Sequence, residues 1–215
     1  MRRAEQEGRG VIALLDTSHN LDVCAAELGC EVGQLLTPLT GFRLRDPSKP
    51  WAIDNGAFSG FDEKKFYSRL RRAEKHDRTN CKFVAMPDRV ADALTTMFMF
   101  HEHYDRVASC GWPIALVLQD GQDQMPPIPW SVLDAIFIGG TNQFKGSMCV
   151  VDLVKEAKHR NLWVHAGRVN GINRFEFFEA LGVDSCDGSG IAQYSLMRHK
   201  IAERKRQEKL FDVQP

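Results

Sequence analysis

Residues able to do chemistry recur in this chain at one kind of place, the end of a short apolar run. Trp51-Ala52-Ile53 ends in Asp54, Lys82 to Met86 ends in Pro87-Asp88, and Pro113 to Leu118 ends in Gln119. Ala135 to Ile138 runs into Gly139-Gly140, Leu162-Trp163-Val164 into His165-Ala166-Gly167-Arg168, and Val183 to Cys186 into Asp187-Gly188. Carboxylates serve as nucleophiles or as proton donors and acceptors, while amides and bare glycine backbone serve as hydrogen-bonding grips. Taken singly, each has a plain structural reading: Asp54 before Asn55-Gly56 fits a turn, and Asp88 after Pro87 fits a cap for the next helix. Their repetition at the same end of successive runs points to a site, with Asp187 as the candidate nucleophile.

Those runs need a frame that brings their ends together. Val11 to Leu15 and Gln34 to Thr37 supply two earlier strands, the second weakened by Pro38. Leu21 to Leu28 reads as a short helix stopped by Gly29, and Phe42 to Pro50 as an exposed basic loop. Asp62 to His76 is amphipathic, with Phe66, Leu70 and Ala73 on one face and Lys64, Arg71, Arg72 and Lys75 on the other. Val90 to Cys110 with Gly111 behind it, Val150 to Arg160, and the stretch carrying Phe175, Phe178 and Leu181 up to Gly182 are further helices.

Eight apolar runs alternating with helices or loops indicate a parallel sheet buried on both faces. The expected fold class is α/β: a compact (β/α)8 TIM-like barrel over residues 1–190, with a basic C-terminal helix in 191–215. An open doubly wound sheet is the other arrangement such a pattern allows, but no Gly-x-Gly-x-x-Gly supports it. In a barrel the C-terminal strand ends share one face, and that face carries the chemistry.

The bulk numbers narrow the setting. Lys plus Arg and Asp plus Glu are 28 each, so overall charge gives no pull toward nucleic acid or membrane, and a polyanion would need a local patch. Cys24, Cys30, Cys81, Cys110, Cys149 and Cys186 are scattered without C-x-x-C or zinc-finger spacing. The opening MRRAEQEGRG does not read as a signal peptide, and no apolar segment is long enough to span a bilayer. The expectation is a reduced, cytoplasmic protein without structural metal or membrane partner.

From Trp51 to Gly190 the chain resembles the tRNA-guanine transglycosylases and their DNA-acting relatives, the 7-deazaguanine transglycosylases. Asp54-Asn55-Gly56-Ala57-Phe58 looks like the family's Asp-Ser-Gly-Gly-Phe motif. Asp88 looks like its base-recognising aspartate, Gln119 like its glutamine on the next strand, and Gly139-Gly140 and Val164 to Gly167 like its glycine turns. Gly182 to Asp187 is similar to the signature that contains its nucleophile. The motifs occur in the family's order.

The resemblance implies that Asp187 attacks the sugar C1′ and displaces the base, as in retaining glycosidases, with Asp54 moving the proton. It further implies that Asp88, Gln119 and the Gly140 backbone hold the base, with Asn55, Phe58, Gly139, His165 and Gly167 around it. No cofactor is implied. The partners are a nucleic acid with a flipped or unpaired nucleotide, and a free 7-deazapurine base.

The chain departs from the family at several points: Gly188 follows Asp187 where the family has a cysteine, and Arg89-Val90 follow Asp88, where an arginine could remodel the pocket. Nothing after Cys186 resembles its zinc site, and the chain is too short for the RNA-clamping insertion, which turns the expectation from tRNA to DNA. Exchange against a free base and hydrolysis to an abasic site use the same carboxylates, so both stay open. A barrel that binds nucleic acid without turnover, and an enzyme of free nucleosides, are the competing classes.

Arg168 is a phosphate candidate, and His165 either touches sugar or phosphate or is buried against backbone. Arg198, Lys200, Arg204 and Lys205 on the C-terminal helix, with Lys64, Lys65, Arg69, Arg71 and Arg72, are the candidate phosphate-binding surface, against a solvated helix face. Trp51, Trp112, Trp130 and Trp163 are base-stacking or core residues, and His101 and His103 lie on different helix faces, which argues against a metal pair.

Overall fold

The computed structural model describes residues 10–16, 20–38 and 43–211, with side chains through residue 207. The basic N-terminal residues 1–9 and the final residues 212–215 lie outside the described residues. Eight parallel strands close into a barrel in sequence order. They are β1 (Ile12–Leu15), β2 (Val32–Leu36), β3 (Trp51–Ile53), β4 (Cys81–Ala85), β5 (Ile114–Leu118), β6 (Ala135–Ile138), β7 (Trp163–Ala166) and β8 (Ser185–Cys186). Closure comes from β8 pairing with β1, Ile12 opposite Ser185 and Ala13 opposite Cys186. The open-sheet alternative is thereby excluded. Among the described residues no helix is long and apolar enough to cross a membrane.

The helices are α1 (Leu21–Leu28), α2 (Glu63–Ala73), α3 (Ala93–Ala108), α4 (Asn142–Lys145), α5 (Met148–His159), α6 (Ile172–Ala180), α7 (Ser189–Gln193) and α8 (Ser195–Phe211). Their starts are chemically marked. Asn20 accepts from Asp22 N and Val23 N, Asp62 from Lys65 N, Asp92 from Thr95 N, and Thr141 from Phe144 N. Asp92, and not Asp88, caps α3, which leaves the Asp88 carboxylate for other work.

Alternation along each strand separates two cores. Ile12, Leu14, Leu35, Ala52, Phe83, Ala85, Ala115, Val117 and Ala135 fill the barrel, with Phe137 and Trp163 packed against them. Val84, Leu116, Ile136, Val164 and Cys186 point outward into the shell beneath the helices. Following the inward rhythm of two past each strand end arrives at Asp54, Gln119, Gly139, Gly167 and Asp187. The polar rim is therefore the top layer of the barrel filling. Asp88 breaks the rhythm. The β3–β4 pairing slips by one residue, from Trp51 opposite Cys81 to Ile53 opposite Val84, an irregularity that re-aims side chains beside it.

The segment before β3 is less exposed than its charge implies: Leu44 and Pro50 are buried, and Gln34 donates to Arg43 O and accepts from Arg45 N. Gly33 on β2 lies under this segment. A Cβ there would sit 2.2 Å from Pro50 O and 2.7 Å from Leu14 Cδ2, with backbone unable to yield. Gly171, by contrast, has open space around its Cβ position and an extended φ of −146°. Gly33→Ala should therefore lose about 1–3 kcal/mol of stability, while Gly171→Ala stays within about 0.5 kcal/mol of the parent. Chemical denaturation of the two variants side by side checks this.

Candidate active site

At the C-terminal end of the barrel lies an open cleft. Asp54, Asn55 and Phe58 from the β3 side, Asp88 from β4 and Gln119 from β5 line it. So do Gly139 and Gly140 after β6, Gly167 and Arg168 after β7, and Asp187 after β8. Every rim residue singled out in the sequence reaches this one space except His165, which lies directly beneath it.

Asp187 is held from below and from the side. Its Oδ1 receives His165 Nε2 at 3.0 Å and the Arg168 backbone N–H at 3.1 Å. A carboxylate can only accept, so His165 carries its proton on Nε2. Trp163 Nε1 can only donate, and it donates to Ser185 Oγ at 2.8 Å. The Ser185 hydroxyl proton is then free to reach His165 Nδ1, 2.9 Å away, which completes a chain in which every polar hydrogen has an acceptor. The two inward positions of β7, Trp163 and His165, thus interlock with the two of β8, Ser185 and Asp187. The fully buried imidazole is packed against the rings of Phe83 and Phe137 at 4.9 and 4.6 Å. It touches neither open space nor backbone, so its role is to position Asp187. Oδ2 of Asp187 accepts no hydrogen bond from the described residues.

Asp54 sits differently. Its Oδ1 accepts the Gly56 N–H at 2.6 Å in a local turn, which Gly56 permits by its φ of +77°. Burial pushes its carboxyl above the ordinary range, partly offset by the Gly56 hydrogen bond, and the nearby charge of Asp187 adds to the rise. The two acids are close enough for the charge of Asp187 to bear on Asp54.

Asp88 is clamped at both oxygens. Asn55 Nδ2 donates to Oδ1 and Gln119 Nε2 to Oδ2, each at 2.6 Å. Both amides are themselves oriented: Ala57 N donates to Asn55 Oδ1, and Ala91 N donates to Gln119 Oε1. The second Asn55 Nδ2 proton goes to Met86 O. Asn55, expected to touch substrate, has therefore spent its donors on the protein and acts by holding Asp88. Gln119 keeps one Nε2 proton. Burial drives Asp88 up to about 6, against the two amides that favour the charged form.

Two residues with unusual backbone serve this network. Ala91 and Arg168 adopt left-handed φ values of 61° and 57°, and each turns its N–H onto a site side chain, Gln119 and Asp187 respectively. The Arg168 guanidinium meanwhile lies 3.9 Å over the Phe58 ring across the mouth of the cleft.

Lys145 went unread in the sequence. It lines the cleft, is 2% exposed, and donates to Gly167 O at 2.5 Å. Asp120 places it by gripping Thr141 through N–H and Oγ1, which fixes the start of α4. Gly140 makes that turn possible: its φ is +74°, and a Cβ there would strike Asp120 Oδ2 and the Phe144 ring. Desolvation lowers the Lys145 amine to about 8, with Asp187 pulling the other way.

The candidate phosphate residues of the C-terminal helix are engaged with the barrel to different degrees. Arg198 is buried, pairing with Glu27 at 2.5 Å and donating to Ile191 O and Ala192 O. Arg204 pairs with Glu176 and Lys205 with Glu179, so these charges dock α8 onto α1 and α6. Lys200 remains exposed. Arg69 is also buried and donates to Asn55 O. Trp51 and Trp112 are core, packed edge to face, and His103 is bonded to Tyr67 Oη. Among the described residues no group of three potential metal ligands occurs.

No protein-family model matches this chain, and no curated protein matches it. Solved structures are similar in fold. CdNal from Clostridium difficile, determined with mannosamine, aligns over 95% of this chain and 78% of its own, at 10% identity and a TM-score of 0.51. A flavocytochrome b2 variant aligns over 95% of this chain and 64% of its own, at 13% identity and a TM-score of 0.51. At such identities the likeness shows the barrel alone.

The Asp88 clamp generates a direct test. A ¹³C carboxyl titration should find Asp88 with a midpoint near pH 6, against an ordinary value near 3.8. Gln119→Ala should move that midpoint upward, because it removes a hydrogen bond that favours the charged form. A midpoint near 4 in the parent would show the carboxylate to be solvated.

Proposed function

We propose that this chain is an enzyme that breaks the N-glycosidic bond between a nucleobase and its sugar in DNA, through a covalent intermediate on Asp187. The observation that carries the reading is the pairing of two acids with opposite tasks in one cleft. Asp187 presents a carboxylate whose Oδ1 is pinned by two donors and whose Oδ2 accepts no hydrogen bond from the described residues. Asp54 is held toward its protonated form by burial.

The nucleotide leaves the stack to enter the cleft. Asp187 Oδ2 attacks C1′ while the Asp54 proton passes to the departing base. One difficult displacement becomes two easier ones, and the ionised Asp54 then serves as base for the second. Asp88, ionised above about pH 6, accepts the N–H groups of a purine-like edge, and the remaining Gln119 Nε2 proton and the Gly140 backbone complete the grip. A base lacking those donors would leave the clamp unpaired, which discriminates strongly. Phe58 and Arg168 at the mouth offer a ring face and a cation to the flanking nucleotide and phosphate.

If a free base resolves the intermediate, the enzyme exchanges guanine for a 7-deazaguanine, as the family resemblance implies. If water does, it is a glycosylase that leaves an abasic site. A barrel that only binds would have no use for a buried acid facing a second, pinned carboxylate across one cleft. An enzyme of free nucleosides would show no salt-dependent affinity for DNA, whereas this reading expects affinity that falls with added salt.

Incubating the protein with DNA and labelled free 7-deazaguanine, and measuring released base, abasic sites and incorporated label, separates exchange from hydrolysis. Asp187→Asn should lower base release by at least about 10³-fold, and Asp54→Asn by about 10²–10⁴-fold. Full activity in folded Asp187→Asn would overturn the reading.

A further inference from the structure

A cleft that needs two acids and a base-reading clamp has no evident use for a buried lysine, and Lys145 has no part in the chemistry above. Its position is costly. A lysine almost removed from solvent holds one hydrogen bond, to Gly167 O, and no salt bridge within 4.0 Å among the described residues. The charged groups that act on it are Asp187 and Asp120, which favour the ammonium, and Arg168 and Arg174, which oppose it. Asp120 is already engaged by Thr141, and Arg174 donates to Asn142 Oδ1. Asp187 and Arg168 line the same cleft as Lys145. Asp120, Thr141 and the Gly140 turn are all arranged so that α4 delivers this side chain to the cleft wall.

A partly dehydrated amine in a closed space is the usual reagent for a carbonyl carbon. The geometry points to a second activity that rests on the hydrolytic outcome of the glycosidic reading above: Lys145 captures the C1′ aldehyde of the base-free deoxyribose and opens the DNA strand at that nucleotide. C1′ is the atom that Asp187 addresses, so a sugar seated for the first reaction is seated within the cleft that Lys145 also lines. The step balances without an oxidant or reductant. Nζ bonds to C1′ and the carbonyl oxygen leaves as water, giving an iminium. A cleft carboxylate removes a C2′ proton, the electron pair forms the C2′–C3′ double bond, and the C3′–O3′ bond breaks with loss of the 3′ phosphate. Water then releases the unsaturated sugar and restores the amine.

The test supplies a DNA strand with a pre-formed abasic site, so that it does not depend on base release, and adds sodium borohydride to reduce any imine to a stable amine. The full chain should form a borohydride-dependent protein–DNA adduct that peptide mass spectrometry maps to Lys145. Lys145→Arg and Lys145→Met should lose at least ten-fold of it. No adduct, or an adduct mapped to another lysine, overturns the inference. Because mapping is done on the parent protein, the result stands even if a variant fails to fold. An adduct without base release from intact DNA would count against the glycosidic reading and leave the capture itself supported.

Discussion

The hydrogen bond from His165 to Asp187 ties the interior of the barrel to its chemistry. It is the upper link of a chain that begins at Trp163 and passes through Ser185, each member an inward residue of β7 or β8. Because the imidazole is fully buried between two phenyl rings, it cannot tilt without disturbing the barrel packing. The direction of the Asp187 carboxylate is thus set by strand register, His165 opposite Ser185, and not by a mobile loop. The second anchor, the Arg168 N–H, costs backbone strain on the order of 1–2 kcal/mol. That cost is sustained because the strands on either side fix the segment.

Charge is distributed in the cleft with the same economy. Asp54, Asp88 and Asp187 would repel one another if all were ionised in a dehydrated space. The structure separates them by the number and kind of donors each receives. Asp187 has an imidazole and a backbone amide, Asp88 has two side-chain amides, and Asp54 has one backbone amide inside a turn. Lys145 adds a positive charge beside Asp187, whose strength falls as the pH passes about 8. The clamp amides cannot be flipped, since Ala57 and Ala91 fix their oxygens.

Much of this was legible because a barrel strand has a period of two and a polar end. The runs ending in Asp54, Gln119, Gly139, Gly167 and Asp187 continue the inward rhythm into the cleft, so reading strand ends was reading the top layer. His165 could have been given its role by the same rule, since it shares a face with Trp163 and, across one register step, with Asp187. The helix starts at Leu21 and Ala93 carry their capping residues openly. Other features had no local signal. Lys145 sits on a single helical turn beyond a glycine pair, where a lysine ordinarily faces water. Arg198 looked like surface charge because its partner, Glu27, lies far away in the chain. The jobs of Asn55 and Ala91 depend on a register slip and a left-handed residue that composition does not announce.

The central claim is that Asp187 bonds covalently to the sugar. Mixing the protein briefly with DNA, quenching in acid denaturant and recording intact mass, then peptide mass, tests it without any added reductant. The account predicts a nucleotide-bearing fraction whose modification maps to Asp187. Base release proceeding with no such species, or with the modification on another residue, would contradict it.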